Sequence, residues 1–134
     1  MLEPLPGVVE SIRRFAGHYR LGIGTSLDRP YVDLILARLD VVDLFDAIVT
    51  GDQVVYGKPD PETYMTLAAR LGVKPQAMLV LEDAFSGIAA AKAAGCYCIA
   101  ITTSRPAPQD TSQADIVVSS LNDITDETIT KLDD

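Results

Sequence analysis

The sequence contains no tryptophan, one histidine and two cysteines in 134 residues. A lone His18 excludes any multi-histidine metal site, and a Ser-His-Asp triad would have to use that one residue. It is read as a surface histidine following a helix. Cys96 and Cys98 stand two apart inside an apolar run. On a strand such residues share a face, so they are read as buried, reduced thiols. Basic residues are also scarce: 11 Lys and Arg against 19 Asp and Glu, a net charge of −8. That deficit argues against nucleic acid or an anionic membrane as the main partner, because both require clustered cations. The longest apolar run covers residues 96–101, far short of the roughly 20 residues of a membrane-spanning helix. The first residues, Met1-Leu2-Glu3-Pro4-Leu5-Pro6, have neither a basic region nor an apolar core. No signal peptide is expected, and a cytoplasmic location follows by default.

What is present is an ordinary globular balance, 48% apolar and 22% charged, enough to bury a core in one domain spanning 1–134. Helix and strand patterns alternate along it. Val8, Ile12 and Phe15 recur at helical spacing after Pro6-Gly7. Residues 20–24 (RLGIG) read as a strand. Pro30 opens a helix with Val32, Ile35, Leu36 and Leu39 as its stripe. Residues 46–50 (DAIVT) read as a second strand and 51–60 as a loop. Asp60-Pro61-Glu62 predicts a helix start, with Asp60 as cap and Pro61 at the first helical position. Tyr64, Leu67, Ala68 and Leu71 form that helix's buried face, which Gly72 ends. Residues 78–81 (MLVL) make a third strand. Ser86 is the expected cap of a helix over 87–94 that stops at Gly95. Residues 96–101 form a fourth strand, 102–114 a loop, 116–118 a fifth strand and 122–134 an acidic terminal helix or tail. Fully apolar strands separated by helices predict an α/β fold, a doubly wound parallel sheet covered on both faces. Ligands of such folds sit at the carboxyl ends of the strands.

Three successive strand ends carry polar residues. Thr25 and Ser26 follow the first strand, where a hydroxyl and free amides at a strand-to-helix turn suit an anion, although an ordinary capping turn has the same residues. Gly57-Lys58-Pro59-Asp60-Pro61 holds a lysine between a glycine and a rigid proline, suited to a phosphate or carboxylate. Glu82 and Asp83 end the third strand. Adjacent carboxylates there repel each other, and a divalent cation such as Mg²⁺, which takes oxygen ligands, relieves the repulsion. A hydroxyl, a cation and paired carboxylates together suit a phosphate ester with Mg²⁺.

These segments resemble the core of the haloacid dehalogenase superfamily, in the branch of β-phosphoglucomutase-like phosphatases. The resemblance runs from about Pro4 to about Ser119. LGIGTS is similar to the family's second motif, which implies that Thr25 binds the transferring phosphoryl group. VTGDQVVYGKPDPETY is similar to the third and implies that Lys58 is the phosphate-binding, catalytic lysine. LVLEDAFSGIAAAKAAG is similar to the fourth and implies that Glu82 and Asp83 are the Mg²⁺-side acids. In an intact relative the resemblance implies an aspartyl-phosphate intermediate. The family's first motif, Asp-x-Asp-Gly-Thr on an N-terminal strand, has no counterpart in these 134 residues. Neither does the cap insertion that usually selects substrate.

The resemblance therefore implies a haloacid dehalogenase-like core whose central strand is missing, retaining its phosphate and Mg²⁺ half-site. The enzyme reading is hydrolysis or mutase chemistry on a small phosphorylated metabolite resembling a sugar phosphate, with little or no activity expected of this chain. The non-enzyme reading is a protein that binds phosphate or a partner without turnover. Dehalogenation of 2-haloacids fits less well, since Glu82-Asp83 resemble metal-side acids. The gap is expected to be closed by direct pairing of the two half-sheets or by exchange in a homodimer.

Overall fold

Alternating apolar runs and amphipathic stretches fold as the sequence pattern requires. The computed structural model describes residues 8–102 and 109–132. In chain order the elements are α1 (Val8–Ala16), β1 (Gly22–Gly24), α2 (Arg29–Leu39), β2 (Ala47–Val49), α3 (Glu62–Leu71), β3 (Leu79–Glu82), α4 (Phe85–Ala94), β4 (Tyr97–Ile101), β5 (Ile116–Val118) and α5 (Asp126–Leu132). Short 3-10 turns at Val42–Leu44, Gly51–Gln53, Pro75–Ala77 and Leu121–Asp123 lie in segments read as connections or, for the last, as part of the terminal helix.

All strand pairs are parallel. β1 pairs β2 with Gly24 opposite Val49; β3 pairs β4 with Glu82 opposite Ala100; β4 pairs β5 with Ile101 opposite Val118. Helices cover both faces. On one side α3 and α4 bury Leu67, Ala68, Ile88 and Ala91 against Val80, Cys98 and Ala100. On the other, Phe15 of α1 and Ile129 of α5 pack with Leu79, Leu81, Ile99 and Ile101, and Val32 and Leu36 of α2 pack with Ile23 and Ile48. The two-residue period of a strand is explicit in β3. Leu79 and Leu81 face one layer; Val80, and therefore Glu82, faces α3 and α4.

The sheet is divided. Its order is β1-β2 in one part and β3-β4-β5 in the other, and among the described residues no ladder joins β1 to β3. Between them runs an apolar cleft of about 680 Å³, lined by Gly22 and Ile23 on one edge and Leu79 and Leu81 on the other, with Leu67 and Phe15 from the two helical layers. The expected central gap is present, and direct pairing of the half-sheets does not close it.

Local readings shift at two helix starts. Ser86 does not cap α4: the helix begins at Phe85 with extended Ala84 before it, so Ser86 lies inside the first turn. Pro61 precedes α3 rather than opening it. Asp60 still serves the helix, since its Oδ1 accepts the Glu62 N–H at 3.0 Å. Gly72 and Gly95 end α3 and α4 in left-handed geometry, φ 74° and 92°, as their positions predict. Cys96 and Cys98 are buried free thiols, and His18 is exposed. Part of the loop read over 102–114 lies outside the described residues.

Candidate functional site

The carboxyl ends of β1 and β3 meet at one ammonium group. Lys58 follows exposed Gly57, and its peptide bond to Pro59 is cis. Lys58 Nζ donates to the carbonyl of Gly24, the last residue of β1, at 3.1 Å. It also donates to Glu82 Oε2, at the end of β3, at 2.5 Å. The ammonium therefore lies at the carbonyl of the residue before Thr25.

Thr25 is tied to the neighbouring strand through its N–H, which donates to Val49 O at 3.0 Å. Its Oγ1 accepts the Leu27 N–H at 3.1 Å, closing a short turn. Ser26 is exposed in that turn. The neighbouring loop is held by Glu62, whose carboxylate accepts the N–H groups of Val55 at 2.7 Å and Tyr56 at 3.2 Å. That clamp precedes Lys58 by two residues and fixes the path by which the lysine enters the crevice.

Glu82 is the buried member, 9% exposed. An ionised carboxylate away from water must be compensated. Three donors do so: Lys58 Nζ and Tyr64 Oη, each 2.5 Å from Oε2, and the Asp83 N–H, 3.2 Å from Oε1. Tyr64 lies on α3 beneath the ammonium, its ring centroid 4.9 Å from Lys58 Nζ. Burial foremost, then the charge of Glu82, pushes the Tyr64 phenol well above its ordinary range. It remains a donor. Room for the carboxylate comes from Gly87 of α4: a Cβ there would lie 1.9 Å from Glu82 Cδ.

Of the residues read from sequence, Lys58 and Glu82 are joined by a hydrogen bond, and Thr25 follows Gly24, whose carbonyl accepts from Lys58. Asp83 follows directly at the strand end, half-buried, and Ser26 stays on the exposed rim. Tyr64 and Gly87 were read only as helix residues. The polar tip of a buried tyrosine, which needs an acceptor, was the available signal for the first. The donor set suits a hard cation: Glu82 and Asp83 offer carboxylate oxygens of the kind Mg²⁺ takes. Among the described residues no cluster of three or more His, Cys, Asp or Glu exists, so these two would hold a cation with water and an anionic ligand. Glu82 would first have to exchange an inward partner.

The haloacid dehalogenase-like hydrolase family matches residues 1–101. Validoxylamine A 7'-phosphate phosphatase of Streptomyces hygroscopicus subsp. limoneus is 40% identical over 104 residues, covering 78% of this chain and 48% of that protein. Fructose-1-phosphate phosphatase of Escherichia coli (strain K12) is 39% identical over 94 residues, covering 70% and 50%. The crystal structure of β-phosphoglucomutase from Clostridium difficile superposes with a TM-score of 0.80 at 26% identity, covering 96% of this chain and 55% of that one. The chain thus spans about half the length of the curated relatives it matches. No described helix is long and apolar enough to cross a membrane. The parallel α/β architecture agrees with these matches, and the chain belongs to the haloacid dehalogenase-like hydrolases, in their phosphatase branch.

Proposed function

We propose that this chain carries the phosphate- and Mg²⁺-facing half of a phosphatase site for a small phosphorylated metabolite of sugar-phosphate type. The supporting observation is the Lys58 ammonium bridging the ends of β1 and β3, beside the Thr25 turn and the Glu82-Asp83 pair. In this reading the Thr25 hydroxyl and the amides of its turn, with Ser26 at the rim, receive phosphate oxygens. Lys58 offsets their charge. Asp83 and Glu82 hold Mg²⁺, which supplies further charge stabilisation when bound. The phosphatase activities of the two relatives support the substrate class.

A second reading, phosphate binding without turnover by the 134 residues alone, is favoured by one observation: the sequence contains no Asp-x-Asp pair, so the nucleophilic carboxylate the family resemblance implies is not supplied. Two measurements decide. Calorimetric titration with inorganic phosphate should show weak binding that strengthens with Mg²⁺ and disappears in a folded Lys58→Ala chain. Hydrolysis of an aryl phosphate should stay far below the usual enzyme range of about 1–10³ s⁻¹. Phosphate binding unchanged by Lys58→Ala removes the lysine from the site. Turnover in the enzyme range discards the binding-only reading.

A further inference from the structure

Glu82 is held from the inside on every side. The strand period turns it towards α3 and α4, Gly87 leaves space for it, and Oε2 accepts from both Lys58 and Tyr64. Lys58 is correspondingly fixed from three directions: the Gly24 carbonyl, the Glu82 carboxylate and the face of the Tyr64 ring. A lysine ammonium has three N–H donors, and two are accounted for by these bonds. Tyr64 acts twice in the arrangement. Its hydroxyl fixes the carboxylate, and its ring attracts the ammonium by a cation–π contact. Tyr64 is 4% exposed, too deep to meet a phosphate ester itself.

We propose that Tyr64 is a positioning residue: its hydroxyl and ring together hold the Glu82–Lys58 pair inward, so that Lys58 keeps one N–H for the anion while Glu82 reaches the cation only by giving up an inward partner. The inference rests on the phosphate-site reading above and deepens it. Without the hydroxyl, Glu82 depends on Lys58 for its compensation and draws the ammonium away from the anion. It is also freer to turn outward. Loss of the hydroxyl therefore moves the two ion affinities in opposite directions, whereas a general loosening of the core lowers both together.

The test is Tyr64→Phe in the full chain, which keeps the ring and removes only the hydroxyl. Inorganic phosphate affinity should fall about 2- to 10-fold, the equivalent of one net hydrogen bond. Mg²⁺ measured alone should bind more tightly. Gly87→Ala, which presses on the same carboxylate from α4, is the second variant and should give the same split. Any other pattern overturns the proposal, including both affinities unchanged or both lowered. A ligand-free readout separates it from the phosphate-site reading. The Lys58 side-chain ammonium should give a resolved ¹H–¹⁵N signal in the wild type. That signal should broaden in Tyr64→Phe and persist in Tyr31→Phe, a change at an exposed tyrosine of α2. If the wild type binds neither ion, the phosphate-site reading falls and the spectrum alone decides the role of Tyr64. A signal indifferent to Tyr64→Phe then overturns it.

Discussion

At the scale of single residues, one buried pair governs the site. Lys58 and Glu82 expose 11% and 9% of their side chains, so the pair is little screened by solvent, and each ion depends on the other. Breaking such a pair from one side typically costs about 3–5 kcal/mol, because a charge is left buried without its partner. Lys58→Ala should therefore destabilise the chain by about 3 kcal/mol in urea unfolding, near the lower end of that range because Tyr64 and the Asp83 N–H still serve Glu82. Replacing both members, Lys58→Ala with Glu82→Leu, should recover part of that loss. A Lys58→Ala chain as stable as the wild type would show that Glu82 is not charged or not buried in solution. The candidate residues were legible where motifs carried them: Thr25, Glu82 and Asp83 stand at or just after strand ends, and Lys58 in the loop that follows β2. The inward turn of Glu82 was not legible. Reading the strand as 78–81 ended it one residue early, and only continuing its alternation through residue 82 puts the carboxylate on the face of Val80.

At the scale of elements, the strands were readable because they are apolar on both faces, and their limits moved by a residue or two because the ladder, not hydropathy, ends them. Ser86 misled for a related reason. A serine before an alanine-rich run suits a cap, but the helix starts one residue before it, at Phe85. β4 shows how completely one strand can be buried: Cys98, Ile99 and Ala100 have no exposure. Asp115, just before β5, secures it by accepting the Cys98 N–H and the Lys92 ammonium, both at 2.8 Å. Burial pushes the Cys96 thiol up to about 11 and the Cys98 thiol up to about 12, against roughly 8.5 in an unfolded chain. The native state therefore holds these protons more tightly than the unfolded state. Their contribution to stability is complete below about pH 8.5, where both states are protonated. It is lost as pH rises towards 11–12. Unfolding midpoints from pH 8 to 11 should fall more steeply in the wild type than in a Cys96→Ala, Cys98→Ala double variant. Native thiols should react with a disulfide reagent only as fast as the chain opens. Rapid stoichiometric labelling at pH 8 would place the thiols at the surface and contradict the packing of β4.

At the scale of the whole molecule, the divided sheet sets the problem. The apolar cleft between β1 and β3 measures about 680 Å³. A dry void of that volume would cost on the order of 16 kcal/mol at ~24 cal/mol per Å³, as much as the entire stability of an ordinary domain, about 5–15 kcal/mol. The cleft must therefore be occupied, by water against its apolar walls or by protein. Water cannot recover the transfer free energy of leucine and isoleucine surface, and the strand edges facing it lack prolines, with Glu82 at the end of β3 their one inward charge. Among the described residues the half-sheets do not pair directly, and for these 134 residues on their own, association between chains is one way to cover those edges. The net charge of −8 opposes it, since like-charged chains repel over a Debye length that shrinks from about 30 Å at 0.01 M salt to about 3 Å at 1 M. Two consequences follow from this balance. Sedimentation at micromolar concentration should show a dimer, the most common closed symmetry. Its share should rise with ionic strength, the reverse of an interface held by surface ion pairs. Amides of residues 79–82 should be protected from exchange in the associated form and less so on dilution. A chain that stays strictly monomeric from low to high salt, with those amides exchanging freely, would mean that the edges of β1 and β3 are not the exposed lanes described above.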